Sequence, residues 1–245
     1  MAELAYSFRE LLSPLEGTRE AAKLAIVAGQ VKIEQAVLAE IMFNGNTLRP
    51  DLDFYLEEAR RDLTVRRRQP GARRGALLDW IEAKMCYTDC LARRVTRYAE
   101  PLMYRDALRR DVEKQRLGVQ RLRPPDRATR LTALLIALHH EGPVWRHKYY
   151  PGFRNRRRHS AESIEAAALE HVRTEIAPSI GRPLAEHVSV TLAAGCRLHV
   201  FAFHDGVAAE LDQELKPTKP GMMELAARAR CQAAGSDADG EARHE

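Results

Sequence analysis

The sequence predicts an all-α fold, a multi-helix bundle of about seven to nine helices with a disordered C-terminal tail, on three observations. Alanine and leucine are abundant while valine, isoleucine and threonine are sparse, a balance that favours helix over pleated strand. Proline, glycine and capping residues divide the chain into stretches of helical length. No apolar–polar alternation of period two runs long enough to claim a strand, and the chain shows neither an internal repeat nor a long heptad run.

The elements follow in order. Ser13-Pro14-Leu15-Glu16 reads as a cap, a first-turn proline and a reaching-back glutamate. Thr18 caps a long helix to about Phe43, apolar on two sides, and Asn44-Gly45-Asn46 stops it. Residues 51–63 form a shorter helix with acidic residues first and arginines last. Gly75 to Glu100 is another long helix, and Pro101 precedes one over 102–117. Pro124-Pro125-Asp126 is the sharpest boundary, ahead of a helix over 127–140 with an apolar middle. Ser160 caps a helix to about Ile176, and Pro183 opens the last long one, to about Leu215. Residues 1–216 make one helical domain, with a subdomain break at 124–125, and 217–245 hold a hinge, a short helix and the tail.

The 245 residues are 45% hydrophobic and 30% charged, a globular composition large enough to bury a core. Residues 1–10 carry no basic region followed by an apolar run, and no stretch approaches a membrane span. Cys86, Cys90, Cys196 and Cys231 are too few for a disulfide scaffold. The expected compartment is the cytoplasm, with no membrane partner.

Function is carried by charge. The formal net charge is +5, and the stretch 145–159 holds six fixed cations, four aromatics, two histidines and no carboxylate. Its Trp145, Arg146, Lys148, Tyr149, Tyr150, Phe153, Arg154, Arg156, Arg157 and Arg158 interleave phosphate-binding cations with rings that stack on unpaired bases. A second cluster, Arg66, Arg67, Arg68, Arg73 and Arg74, extends the same footprint if the two share a face. The leading expectation is a non-enzymatic accessory or regulatory protein that binds RNA or single-stranded DNA. A module that docks on a protein partner through the same basic loop is an alternative.

Arg154-Asn155-Arg156-Arg157-Arg158-His159 has the form Arg-Asn-x-x-x-His, which resembles the signature of HEPN-domain ribonucleases. The resemblance implies a small all-helical domain in which Arg154 and His159 cut RNA without a metal. The intervening arginines depart from the apolar or small residues usual there.

No cofactor is expected. One metal alternative rests on spacing, since Cys86 and Cys90 are four apart and Cys196 and His199 three apart. On helices each pair would share a face, and together they would complete a zinc tetrahedron. His139-His140-Glu141 reads instead as the cationic end of a helix.

Overall fold

Leu131 to Leu138, the most apolar run in the chain, is the middle of a β-strand rather than a helix, and this overturns the all-α expectation. The structure is a computed structural model that describes residues 6–28, 33–58, 61–72, 74–92, 101–122, 128, 130–141 and 159–204, all within the unit Met1–Ala208. Six strands form one mixed sheet: β1 (Leu52–Leu56), β2 (Leu63–Arg67), β3 (Leu77–Tyr87), β4 (Arg130–His140), β5 (Leu184–Ala193) and β6 (Cys196–His204). Their order across the sheet is β1-β2-β3-β4-β6-β5.

Four expected helices are therefore strands. The 127–140 stretch is β4, buried from Arg130 through His139. A strand covered on both faces selects a continuous apolar run, and leucine and alanine then mimic a helix. The expected Gly75–Glu100 helix is β3 followed by the single turn α4 (Thr88–Leu91), and the expected Pro183–Leu215 helix holds the β5–β6 hairpin. The 51–63 helix is β1 and the approach to β2. A helical-bundle description does not fit this sheet.

Elsewhere helices are found, with different bounds. The single long helix expected from Thr18 to about Phe43 is described as two, α2 (Arg19–Ala28) and α3 (Glu34–Leu48), after the short α1 (Phe8–Leu12). Thr18 accepts the Ala21 amide and Ser160 accepts the Ser163 amide, so these two expected caps form; Ser13 does not cap, since it closes α1 and its hydroxyl donates to the Glu10 carbonyl. The helices after them include α5 (Pro101–Gln120) and α6 (Ala161–His171), which continues through a π-helical turn into α7 (Ala177–Ser179).

The expected stop at Asn44-Gly45-Asn46 does not end α3, because these residues serve packing. Asn44 Nδ2 donates to the Leu11 carbonyl at 2.8 Å, and Asn46 exchanges hydrogen bonds with the Phe54 backbone. A Cβ on Gly45 would meet the Phe54 ring at 2.7 Å. The subdomain break at 124–125 and the hinge and tail at 217–245 lie outside the described residues.

All neighbouring strands are antiparallel except β3 and β4, which are parallel in the register Asp79–Arg130 to Tyr87–Leu138. A parallel pair needs a crossover connection, and α5 lies on that connection. Side chains alternate across the sheet. On β3 the Asp79, Met85 and Tyr87 side chains meet Tyr6, Ile33 and Ala28, so the N-terminal helices cover that face. Trp80, Glu82 and Lys84 point the other way, toward α5. Among the described residues no helix is long and apolar enough to cross a membrane.

Candidate active site

The candidate site gathers where β2 begins, at Leu63, and β3 runs on past it. The last β2–β3 pair is Leu63–Ile81, so the next step of the ladder sets Asp62 opposite Glu82. The Asp62 carboxylate turns in and accepts the Ala83 amide at 2.8 Å. It thereby takes the place of a strand partner for an edge amide that must be satisfied. Asp62 is half-buried, whereas Glu82 is only 1% exposed.

Glu82 is an acid in a costly environment. Its Oε1 accepts from Trp80 Nε1 and from Lys114 Nζ, each at 2.7 Å. Burial pushes its carboxyl above the ordinary glutamate value, and the negative charge of Asp62 adds to the rise against the pull of Lys114 and Trp80. Trp80 is itself fixed. The Arg61 guanidinium lies 4.6 Å from its ring centroid, and a Cβ on Gly118 of α5 would come within 2.3 Å of the ring.

Lys84, two residues beyond Glu82 on the same face, pairs with Asp111 of α5 at 2.7 Å. Burial works against its charge. The Asp111 hydrogen bond and the charges of Asp111, Asp62 and Glu34 outweigh that and hold the ammonium above the ordinary lysine value. Glu34 stands in the first turn of α3. Around the site stand four carboxylates (Glu34, Asp62, Glu82, Asp111) and three cations, the ammonium groups of Lys84 and Lys114 and the Arg61 guanidinium over Trp80.

Asp62 and Glu82 are hard oxygen ligands, suited to Mg²⁺ or Mn²⁺ rather than zinc. Among the described residues no three His, Cys, Asp or Glu side chains converge as a metal centre. A Mg²⁺-type site does not need three, since such ions are commonly held by one or two carboxylates with water and substrate oxygens completing the shell.

The residues expected from sequence fare differently. Trp145, Arg146, Lys148, Tyr149, Tyr150, Phe153, Arg154, Arg156, Arg157 and Arg158 lie outside the described residues, as does Arg73. His159 is exposed, just ahead of the α6 cap. In the second cluster, Arg66 is 2% exposed, pairs with Glu58 at 3.0 Å and donates to the Gly75 carbonyl. Arg74 pairs with the same Glu58 at 3.2 Å and Arg68 with Asp53 at 2.7 Å. Burial raises the Glu58 carboxyl, but Thr64, Arg66 and Arg74 outweigh it and hold it below the usual range. Arg67 is exposed. The β2–β3 hairpin is therefore largely self-neutralised.

The cysteine–histidine set is not brought together. Three residues apart on a strand, Cys196 and His199 lie on opposite faces of β6. Cys86 and Cys90 are buried, on β3 and α4. Burial pushes the Cys196 thiol up to about 12, far from a thiolate ligand. His199 Nε2 instead meets Glu165 Oε1 at 2.8 Å, and Arg197 makes a two-pronged pair with the same carboxylate. His139 lies on β4, fully buried, with Nδ1 at 3.0 Å from Thr88 Oγ1. The Glu165 contacts clamp α6 to β6 and are structural.

Sequence reasoning missed Asp62, Glu82 and Lys84. Their signal was Glu82-Ala83-Lys84 directly after Leu77-Leu78-Asp79-Trp80-Ile81, with Asp62 upstream. Comparison with models of known protein families, with curated proteins and with solved structures gave no match.

Proposed function

We propose that this chain is a divalent-cation-dependent nuclease that hydrolyses phosphodiester bonds of nucleic acid at Asp62, Glu82 and Lys84. The observation that carries the reading is the opposition of two carboxylates across the end of the β2–β3 ladder, with a lysine beside them on the same face. Like charges directly opposed on a sheet are destabilising. Perturbed carboxyl groups with specific charged neighbours concentrate at functional sites.

In this reading Asp62 and Glu82 would hold the cation, in place of the Lys114 ammonium that touches Glu82 at 2.7 Å and is 46% exposed. The cation supplies polarisation of a phosphoryl oxygen and a more acidic water. Lys84 remains an ammonium at neutral pH because its neighbours favour the charge. Its role is to stabilise negative charge building on the phosphoryl oxygens rather than to act as a base. A water oxygen bonds to phosphorus, the ester P–O bond breaks, and the leaving oxygen takes a proton. The products are a phosphomonoester and an alcohol.

The net charge of +5 supports a polyanionic substrate. The stretch 145–158 is rich in arginine and aromatic residues, residue types that bind nucleic acid. Purified protein with Mg²⁺ or Mn²⁺ is expected to cut plasmid DNA or labelled RNA, and to stop with EDTA or in Glu82→Gln. Intact polymers with both metals, or undiminished cutting by Glu82→Gln, overturn the reading.

A further inference from the structure

Among the described residues, a basic surface with more arginines than carboxylates lies on α5. A groove of about 690 Å³ runs between the outer side of α5 and Ile180, lined by Arg105, Arg109, Arg110 and Arg116. Two carboxylates, Asp106 and Glu113, also line it, and Arg105 is paired with Asp106 at 3.0 Å. Arg109, Arg110 and Arg116 pair with no carboxylate among the described residues.

Helix geometry gives the groove a direction. Positions 105, 109 and 116 fall within about 40° of one another around the axis and span about 16 Å along it at 1.5 Å per residue. That length faces several phosphates of one strand at roughly 3.4 Å of rise each. Arg110 lines the groove and stands one turn before Lys114, which touches Glu82. Residues four apart are neighbours on a helix surface, so Arg110 and Lys114 form a cationic row from the groove to the carboxylates. Among the described residues the groove lining holds no aromatic side chain, so these residues offer charge to phosphates and no platform for bases.

We infer that the α5 groove binds the sugar-phosphate backbone of nucleic acid flanking the bond cut at Glu82, without regard to base sequence; this rests on the nuclease reading. Arg109 and Arg116 neutralise successive phosphates, and Arg110 hands the strand across α5 to the site.

The test is fluorescence anisotropy of labelled single-stranded and duplex oligonucleotides in EDTA, across a salt series, with wild type, Arg109→Glu/Arg116→Glu and the milder Arg109→Gln/Arg116→Gln. Both variants are expected to bind more weakly by tenfold or more at low salt. The slope of log affinity against log salt should fall by about 2, close to 0.9 for each lost phosphate contact. Losses should be similar for oligonucleotides of unrelated sequence. If the Gln variant keeps the wild-type melting temperature, affinity within twofold and an unchanged slope, the groove is not the backbone site. Cutting by the wild type is read separately. Its absence ends the nuclease reading and leaves binding standing, while unaltered binding by the variants ends the groove assignment and leaves cutting standing.

Discussion

Asp62 accepts the backbone N–H of Ala83 at 2.8 Å, and this bond fixes the carboxylate between Glu82 and Lys84 along β3. A side chain thus replaces a strand partner at the one place where β3 outruns β2. It brings a negative charge to a site that already holds the raised carboxyl of Glu82.

Glu82→Gln should stabilise the fold while abolishing cutting. Glutamine keeps an oxygen for Trp80 and Lys114 and removes the opposed charge. About 1 kcal/mol of relief would lift Tm by roughly 2–4 °C in a domain of this size. The pH dependence follows from the same group. A carboxyl whose folded pKa lies above its unfolded value binds more protons when folded, so its stabilisation is full below the unfolded value and is lost as pH rises through the folded one. Wild type should therefore lose stability over that interval more than Glu82→Gln. Parallel pH profiles, with no gain in Tm, would contradict this.

Lys84→Ala should slow single-turnover cutting by about 10²–10³, the usual cost of removing one group that stabilises transition-state charge. Lys84→Arg should recover part of that loss. Because Lys84 is held charged, the rate should show no loss through lysine deprotonation near neutral pH. A rate within threefold of wild type for the alanine variant would remove Lys84 from the site.

Gly118→Ala tests how tightly α5 seats the site. The added methyl would fall 2.3 Å from the Trp80 ring, and overpacking of this kind costs about 1–3 kcal/mol. Displacing Trp80 also loosens its hold on Glu82. The expected readouts are a lower Tm, altered tryptophan emission and weaker cutting. Unchanged Tm and emission would show that α5 has room to move.

On the opposite face, Asp79 accepts from Tyr6 and Arg130 at 2.6 Å and from Thr132 at 2.9 Å. Asp79→Ala strands a guanidinium only 6% exposed, and breaking a buried pair from one side costs about 3–5 kcal/mol. The urea midpoint should fall accordingly, and more than for Asp79→Asn. A shift below 1 kcal/mol would mean that Arg130 finds other partners.

The sequence-level errors share one physical origin. Glu82 and Lys84 are two apart, which on a helix sends them to different sides and on a strand sets them on one face. Reading Gly75–Glu100 as helix therefore concealed the site. The same misreading joined Cys196 to His199, because a spacing of three shares a face only on a helix. Strand β4 gave no alternation to detect, being buried on both faces. What was legible was local: the caps at Thr18 and Ser160, and the helices that became α5 and α6. Arg66 and Arg74 read as free cations because their partner Glu58 and the hairpin that brings it close are invisible to composition.

If the opposed carboxylates take up a divalent cation, calorimetric titration of Mn²⁺ should separate wild type from Asp62→Asn. Asparagine keeps an acceptor for Ala83 but loses the charge, so the variant should fold normally. Wild type is expected to show a saturable site that Asp62→Asn lacks or binds at least tenfold more weakly. Equal binding by the two proteins, or no saturable heat in wild type, would contradict the account.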